Sequence, residues 1–286
     1  MLLELAVGDA YGAGFEYADS DFVARHNDLS GYQKHPHHAI RPGAYTDDTQ
    51  MSIAVAEAIA DDLPWTPETL AAKFVEAFKR DPRVGYASRF YDFLRRVETG
   101  AQFLAEVVPA SDKSGAAMRA APIGVFGSVA EVIEKSALQA RLTHDTPDGI
   151  AAAVAASLMS HYFLYDVGPK RDLTVFLEKH VPGHRWGEPW RGHVGAKGWM
   201  SVRAAVTALV AHDRLSDLLR ACVAFGGDVD TVATIALGAA SCSREVEKDL
   251  PEPLIGGLEN TRFGRDYIIA LDRRLLARVI KMDNQD

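Results

Sequence analysis

Apolar residues recur at helical spacing along nearly the whole chain, and this limits the folds open to it more than any other feature. Over 48–60 the apolar positions are Met51, Ile53, Ala54, Val55, Ala58 and Ile59; over 67–80 Leu70, Phe74, Val75 and Phe78 form the stripe. Residues three and four apart share a helix face, so such stripes are buried by forming helices. Thr66 ahead of Pro67 supplies an N-cap and a proline at the first helical position. The same pattern predicts helices over 88–97, 128–142, 147–165, 173–180, 198–212, 215–224, 228–241 and 266–280. The 147–165 segment is dominated by alanine, which favours the helix and close packing of its neighbours. Alternating β-branched segments joined by two-residue turns are hard to find. The fold class expected is all-α.

Breakers gather at 25–43, 100–121 and 181–198, the last rich in Gly, Pro, Trp and His. None has the sustained low complexity of an interdomain linker, and no period of 20 to 50 residues suggests a solenoid. Loops this long in a helical domain are usually functional or disordered. With 286 residues, 48% of them hydrophobic, the chain can bury a substantial core as one large domain or two small ones. A net charge of −8 weighs against a nucleic-acid backbone or an anionic membrane as the main partner. The two cysteines, Cys222 and Cys242, lie inside apolar helical patterns and read as small buried hydrophobes. The first residues lack the basic region of an export signal, and no stretch reaches about 18 apolar residues without charges. A cytoplasmic location is the expectation.

Two acidic clusters stand at predicted helix starts. Thr46, Asp47 and Asp48 precede one apolar run; Asp228, Asp230 and Thr231, after Gly226 and Gly227, precede another. A helix start needs one capping oxygen, and its positive end stabilises one carboxylate well. Three side-chain oxygens within four residues, twice, are what a hard divalent cation prefers. The six residues could hold two ions if the helices converge; otherwise they are two separately capped helices with solvated acids. Asp9 and Glu16 flank a run of small residues (Gly8, Ala10, Gly12, Ala13, Gly14) that reads by itself as a tightly packed first helix. The histidines of 34–38 read as a solvated, flexible segment rather than a zinc site. The aromatic stretch 184–193 could wall a binding cleft or cap the core. Neither a nucleophile elbow nor a Walker phosphate loop is present.

The stretches GDAYGAGFE, YTDDTQM, SDKSGAAMRAAPIG, LTHDTPDGIAAA and GGDVDTVA occur in that order from Gly8 to about Ala240. Together they resemble the ADP-ribosylglycohydrolases, which include dinitrogenase reductase-activating glycohydrolases and ADP-ribosyl-arginine and ADP-ribosyl-serine hydrolases. The resemblance implies a compact, single-domain helical bundle over 1–286 with a binuclear Mg²⁺ or Mn²⁺ centre at the base of a cleft. It implies Thr46, Asp47 and Asp48 as ligands of one ion and Asp228, Asp230 and Thr231 as ligands of the other, Asp230 bridging. Glu16 and Asp47 are the implied catalytic acids and bases. Ser111, Ser114, Gly115 and Met118 fall in the loop implied to contact the pyrophosphate, and His144 near the nucleotide. Lys113-Ser114 replaces a common Gly-Asn step, Val229 stands where threonine is common, and Asp92 poorly matches the acid used by some arginine-specific members. The activity implied is cleavage of the glycosidic bond between ADP-ribose and an acceptor, a protein side chain or small molecule; that neither nucleic acid nor membrane is a partner is the expectation from the net charge. Two rivals remain: a two-metal phosphoesterase, which would release AMP rather than ADP-ribose, and a non-catalytic ADP-ribose-binding relative. Linkage and oligomeric state have no counterpart in these motifs.

Overall fold

Hydroxyl caps set where five of the helices begin. Thr46 accepts from the N–H of Asp48, Thr66 from Thr69, Thr99 from Gln102, Ser128 from Glu131 and Thr146 from Gly149. Each satisfies one of the N–H groups that a first turn leaves unpaired. Pro67 and Pro147 follow their caps at positions where a missing N–H is harmless.

The computed structural model describes residues 1–283. In chain order its helices are α1 (Leu2–Gly12), α2 (Ser20–His26), α3 (Asp47–Ala60), α4 (Pro67–Arg80), α5 (Ser88–Arg96), α6 (Gly100–Glu106) and α7 (Val129–Arg141). There follow α8 (Pro147–Leu164), α9 (Leu173–His180), α10 (Gly198–Ala211), α11 (Leu215–Ala224), α12 (Val229–Ala240), α13 (Glu252–Gly257) and α14 (Arg265–Asp283). Among the described residues β pairing is limited to isolated bridges, so the all-α expectation holds. Apart from α1, which the small residues of 8–14 suggest as a tightly packed first helix, the long helices fall where the periodicity puts them. The short ones outside the periodic stretches, α2, α6 and α13, are six or seven residues long and bury one side chain each, Val23, Phe103 and Leu254. A single buried position has no period to read. Consequently α6 occupies part of the breaker-rich 100–121 segment, and α2 overlaps the start of the loop predicted over 25–43.

At the centre lies α12, all twelve of its residues buried. A helix with no polar face must be surrounded, and α1, α3, α8, α10 and α11 surround it. The approach of α1 is the tightest. A Cβ on Gly8 would stand 2.7 Å from the carbonyl oxygen of Ala233, and one on Gly12 would run into the backbone of Asp230. Bare glycine lets the two backbones meet there. This crossing carries the end of α1, and Glu16 just beyond it, to the start of α12. Helix α3 packs on both α1 and α12, so two helix N-termini and the end of a third meet at one place.

The 181–198 segment caps the core. Trp186 is fully buried with its indole N–H donating to the Val181 carbonyl at 2.9 Å, while His184 lies between the rings of Trp186 and Trp199. The 34–38 segment departs from the solvated reading at one residue: His37 and His38 are exposed, but His35 is buried. Both cysteines are free thiols, Cys222 buried and Cys242 partly so. No described helix is long and apolar enough to cross a membrane.

Candidate active site

Asp9, fully buried on α1, organises the start of α3. Its carboxylate accepts from the N–H and hydroxyl of Thr46 at 2.9 and 2.7 Å and from the N–H and hydroxyl of Thr49 at 3.0 and 2.6 Å. Four donors converging on one carboxylate fix the first turn of α3, and with it the directions of Asp47 and Asp48. The start of α12 is fixed differently. Gly226 and Gly227 take left-handed φ values of +71° and +89°, and the strand-like residue Val194 bonds across them, its N–H to Gly226 and its carbonyl to the N–H of Asp228 at 3.0 Å. Asp230 then accepts from the Thr231 N–H at 2.9 Å.

These elements line one cavity of about 850 Å³. Glu16, Asp47, Asp48, Asp228, Asp230 and Thr231 give it an acidic end; Ser111, Ser114, Gly115, Met118 and His144 line it as well, with Tyr86, Phe90 and Phe93 supplying aromatic surface. Every site residue expected from the sequence is therefore brought to this cavity except Thr46, which is fully buried behind the wall with its hydroxyl donated to Asp9. Asp92 is exposed on α5 and is not among the wall residues. Ser201 donates to the Asp228 carboxylate at 3.3 Å, and Ser114, expected among substrate contacts, helps hold down the pKa that burial raises there. One carboxylate oxygen each from Glu16, Asp228 and Asp230 lies within 4.8 Å of the others.

The charges at this end are unbalanced. Burial, then the neighbouring Asp228 and Asp9, push the Glu16 carboxyl up to about 7. Burial and the charges of Asp9 and Glu16 hold Asp47 well above the carboxylate range; burial with Asp9 and Asp47 does the same to Asp48, and burial with Glu16 and Asp48 to Asp230. The buried Oδ2 of Asp48 has no hydrogen-bond partner. Carboxylates crowded without a counter-charge, one of them with an orphaned buried oxygen, fit a hard divalent cation. The donors are carboxylates and hydroxyls, with no sulfur and no imidazole, which suits Mg²⁺ or Mn²⁺ better than zinc.

Also lining the cavity, buried Arg119 donates to the Thr143 hydroxyl at 2.8 Å, and that oxygen lies 2.7 Å from His144 Nδ1. Burial and the Arg119 charge push His144 down to about 3, so its ring is neutral and serves as a hydrogen-bonding group. The loop before it is tied to 196–198: Ser114 N–H to the Ala196 carbonyl at 3.0 Å, and Asp112 to Lys197 at 2.8 Å.

Asp9, Thr49 and Thr143 carry no role in the sequence reading. Asp9 offers one signal, a carboxylate set among the small residues Gly8, Ala10 and Gly12, where hydroxyl or N–H donors from elsewhere can satisfy it.

A model of the ADP-ribosylglycohydrolase family matches residues 1–285. The ADP-ribosyl-dinitrogen reductase glycohydrolase of Rhodospirillum rubrum is 26% identical over 268 residues, covering 90% of this chain and 88% of that protein. The ADP-ribosylarginine hydrolase Tri1 of Serratia proteamaculans is 23% identical over 255 residues, or 81% of this chain and 67% of the relative. A solved structure described as an ADP-ribosylglycohydrolase-related protein complex aligns with a TM-score of 0.77 at 22% identity, covering 97% of this chain and 96% of the other. At that identity the likeness speaks to the fold.

Proposed function

Because the chain belongs to the ADP-ribosylglycohydrolase family, we propose that it hydrolyses the glycosidic bond between ADP-ribose and an acceptor, a protein side chain or a small molecule, with two divalent cations, Mg²⁺ or Mn²⁺, as cofactors. Residues 1–286 act in this reading as one ADP-ribosylglycohydrolase-like domain working in the cytoplasm; 284–286 lie outside the described residues. The observation that carries the reading is the meeting of two acidic helix starts, 180 residues apart, in one cavity with their carboxylates unneutralised.

Asp47 and Asp48 would hold one ion, with the Thr46 oxygen, its proton given to Asp9, behind them, and Asp228, Asp230 and Thr231 the other, Glu16 adjoining through its neighbours Asp228 and Asp230. Bound Mg²⁺ or Mn²⁺ supplies the missing positive charge and Lewis acidity toward oxygen. The rest falls to the chain. Cleavage breaks the bond from the anomeric carbon to the acceptor nitrogen or oxygen through an oxocarbenium-like state, and water supplies the new oxygen. Glu16, beside Asp228 and Asp230 at the acidic end of the cavity, is placed to take a proton from that water and return one to the leaving group; Asp47 is the second candidate. Ser111, Ser114, Gly115 and Met118 line the wall where the diphosphate would lie, and neutral His144 can hydrogen-bond there without adding or removing charge. Contacts to the diphosphate, away from the bond being cut, would fix the sugar over the acids.

The test is a panel of defined ADP-ribosyl linkages (arginine, serine, small-molecule conjugates) incubated with the Mg²⁺- or Mn²⁺-loaded protein. Free ADP-ribose should appear from at least one of them, and AMP from none. Asp230→Asn should lose cation binding and hydrolysis together. Near-normal turnover by that variant would end the two-ion reading.

A further inference from the structure

His35 stands alone among the histidines of 34–38 in being buried. Its Nδ1 accepts from the backbone N–H groups of His37 at 3.0 Å and His38 at 2.9 Å. A ring nitrogen that accepts carries no proton, so the proton sits on Nε2, which lies 2.7 Å from the carbonyl oxygen of Glu16 and donates to it. That carbonyl belongs to the peptide group joining Glu16 to Tyr17. The other end of the same group, the Tyr17 N–H, donates to the carbonyl of Gly227 at 2.9 Å. Both polar ends of one peptide unit are thus held, one by His35 and one by the residue preceding Asp228. Tyr17 itself has φ +50°, a left-handed conformation that a residue with a Cβ keeps only where its surroundings impose it.

The segment bearing His35 is anchored on both sides. The Tyr32 hydroxyl donates to the Leu254 carbonyl at 2.8 Å, and Gly43 accepts from the Glu259 N–H at 2.8 Å while Arg41 pairs with the Glu259 carboxylate at 2.6 Å. His35 therefore projects from a fixed strap onto the turn that carries Glu16.

We propose that His35 is a positioning residue for Glu16: its imidazole locks the Glu16–Tyr17 peptide against Gly227 and so keeps the Glu16 carboxylate beside Asp228 and Asp230. Its consequence for cations rests on the function proposed above; its consequence for the backbone does not.

Two substitutions separate the contacts. In His35→Asn the shorter carboxamide oxygen can still accept from the N–H groups two and three residues on, as in an Asx turn, but nothing reaches Glu16. In His35→Gln an N–H group reaches about as far as Nε2. Amide hydrogen exchange and Mn²⁺ titration are read on both variants and on Glu16→Ala. His35→Asn should speed exchange at the Tyr17 amide roughly tenfold while α3 and α12 stay protected, and should weaken Mn²⁺ binding roughly tenfold, as loss of an outer support to a ligand does. His35→Gln should restore most of both. In the Glu16→Ala background, His35→Asn should leave Mn²⁺ affinity unchanged, since its effect passes through Glu16. Wild-type protection at Tyr17 in His35→Asn overturns the proposal, and so does an undiminished effect on Mn²⁺ without the Glu16 carboxylate. If the wild-type protein binds no Mn²⁺, the proposed cofactors fail, and exchange at Tyr17 still decides the role of His35.

Discussion

Asp9 shows how much of a site can rest on a residue that faces away from it. Its carboxylate takes four hydrogen bonds from Thr46 and Thr49 in a fully buried place. An alanine there leaves both N–H groups and both hydroxyls without their acceptor. Asp9→Ala should therefore lower stability by about 3 kcal/mol, the range for buried bonds to a charged group left unmade. It should also weaken Mn²⁺ binding, because Asp47 and Asp48 ride on the turn it fixes. Denaturant unfolding and a Mn²⁺ titration measure the two effects; an unchanged unfolding midpoint would count against this account. The doubled acids of TDDT and GGDVDT are legible in the sequence as oxygen-rich helix starts. Asp9 is legible as an acid among small residues but not in its role, because its partners lie 37 and 40 residues away and only folding brings them to it.

Among the elements, the crossing of α1 with α12 decides where the acids meet. Gly8 and Gly238 make opposite demands there. A Cβ on Gly8 would stand 2.7 Å from a backbone oxygen of α12, whereas one on Gly238 would find Ala121 and Leu5 at an ordinary 3.4 Å. Gly8→Ala should thus cost about 1 to 3 kcal/mol through overpacking. Gly238→Ala should be neutral or stabilise by about 0.5 to 1 kcal/mol, since alanine loses less freedom than glycine in a helix interior. Thermal unfolding of the two variants side by side checks the contrast, and equal shifts would place the tight contact elsewhere. Stretches with several apolar positions, such as 67–80, are legible as helices because their stripe repeats. The short helices α2, α6 and α13 are not, since their one buried side chain each gives no repeat.

At the scale of the whole molecule, the crowded carboxylates link stability to pH and to cations. Glu16 is raised from an ordinary 4.5 to about 7, and Asp47, Asp48 and Asp230 are raised as well. Acids whose pKa is higher in the folded state bind more protons there than in the unfolded chain. Their contribution is thus most favourable below the unfolded values and is lost as pH rises through about 7. Divalent cations bind the deprotonated groups and reverse the loss. Added Mg²⁺ or Mn²⁺ should raise Tm more at about pH 8 than at about pH 5, and the ion-free protein should be less stable at the higher of the two. Equal Tm shifts at both values would mean that the ions bind elsewhere. By itself the sequence determined the long periodic helices, the Thr66 cap and the residue types able to hold a cation, because periodicity, capping and ligand chemistry act over a few residues. Only the tertiary structure decided that Glu16 and the two acidic starts share a cavity, that Thr46 turns its hydroxyl to Asp9, and that His35 is a strut rather than a loose loop residue. Those facts depend on which backbones can approach one another, and that is settled when the whole core packs.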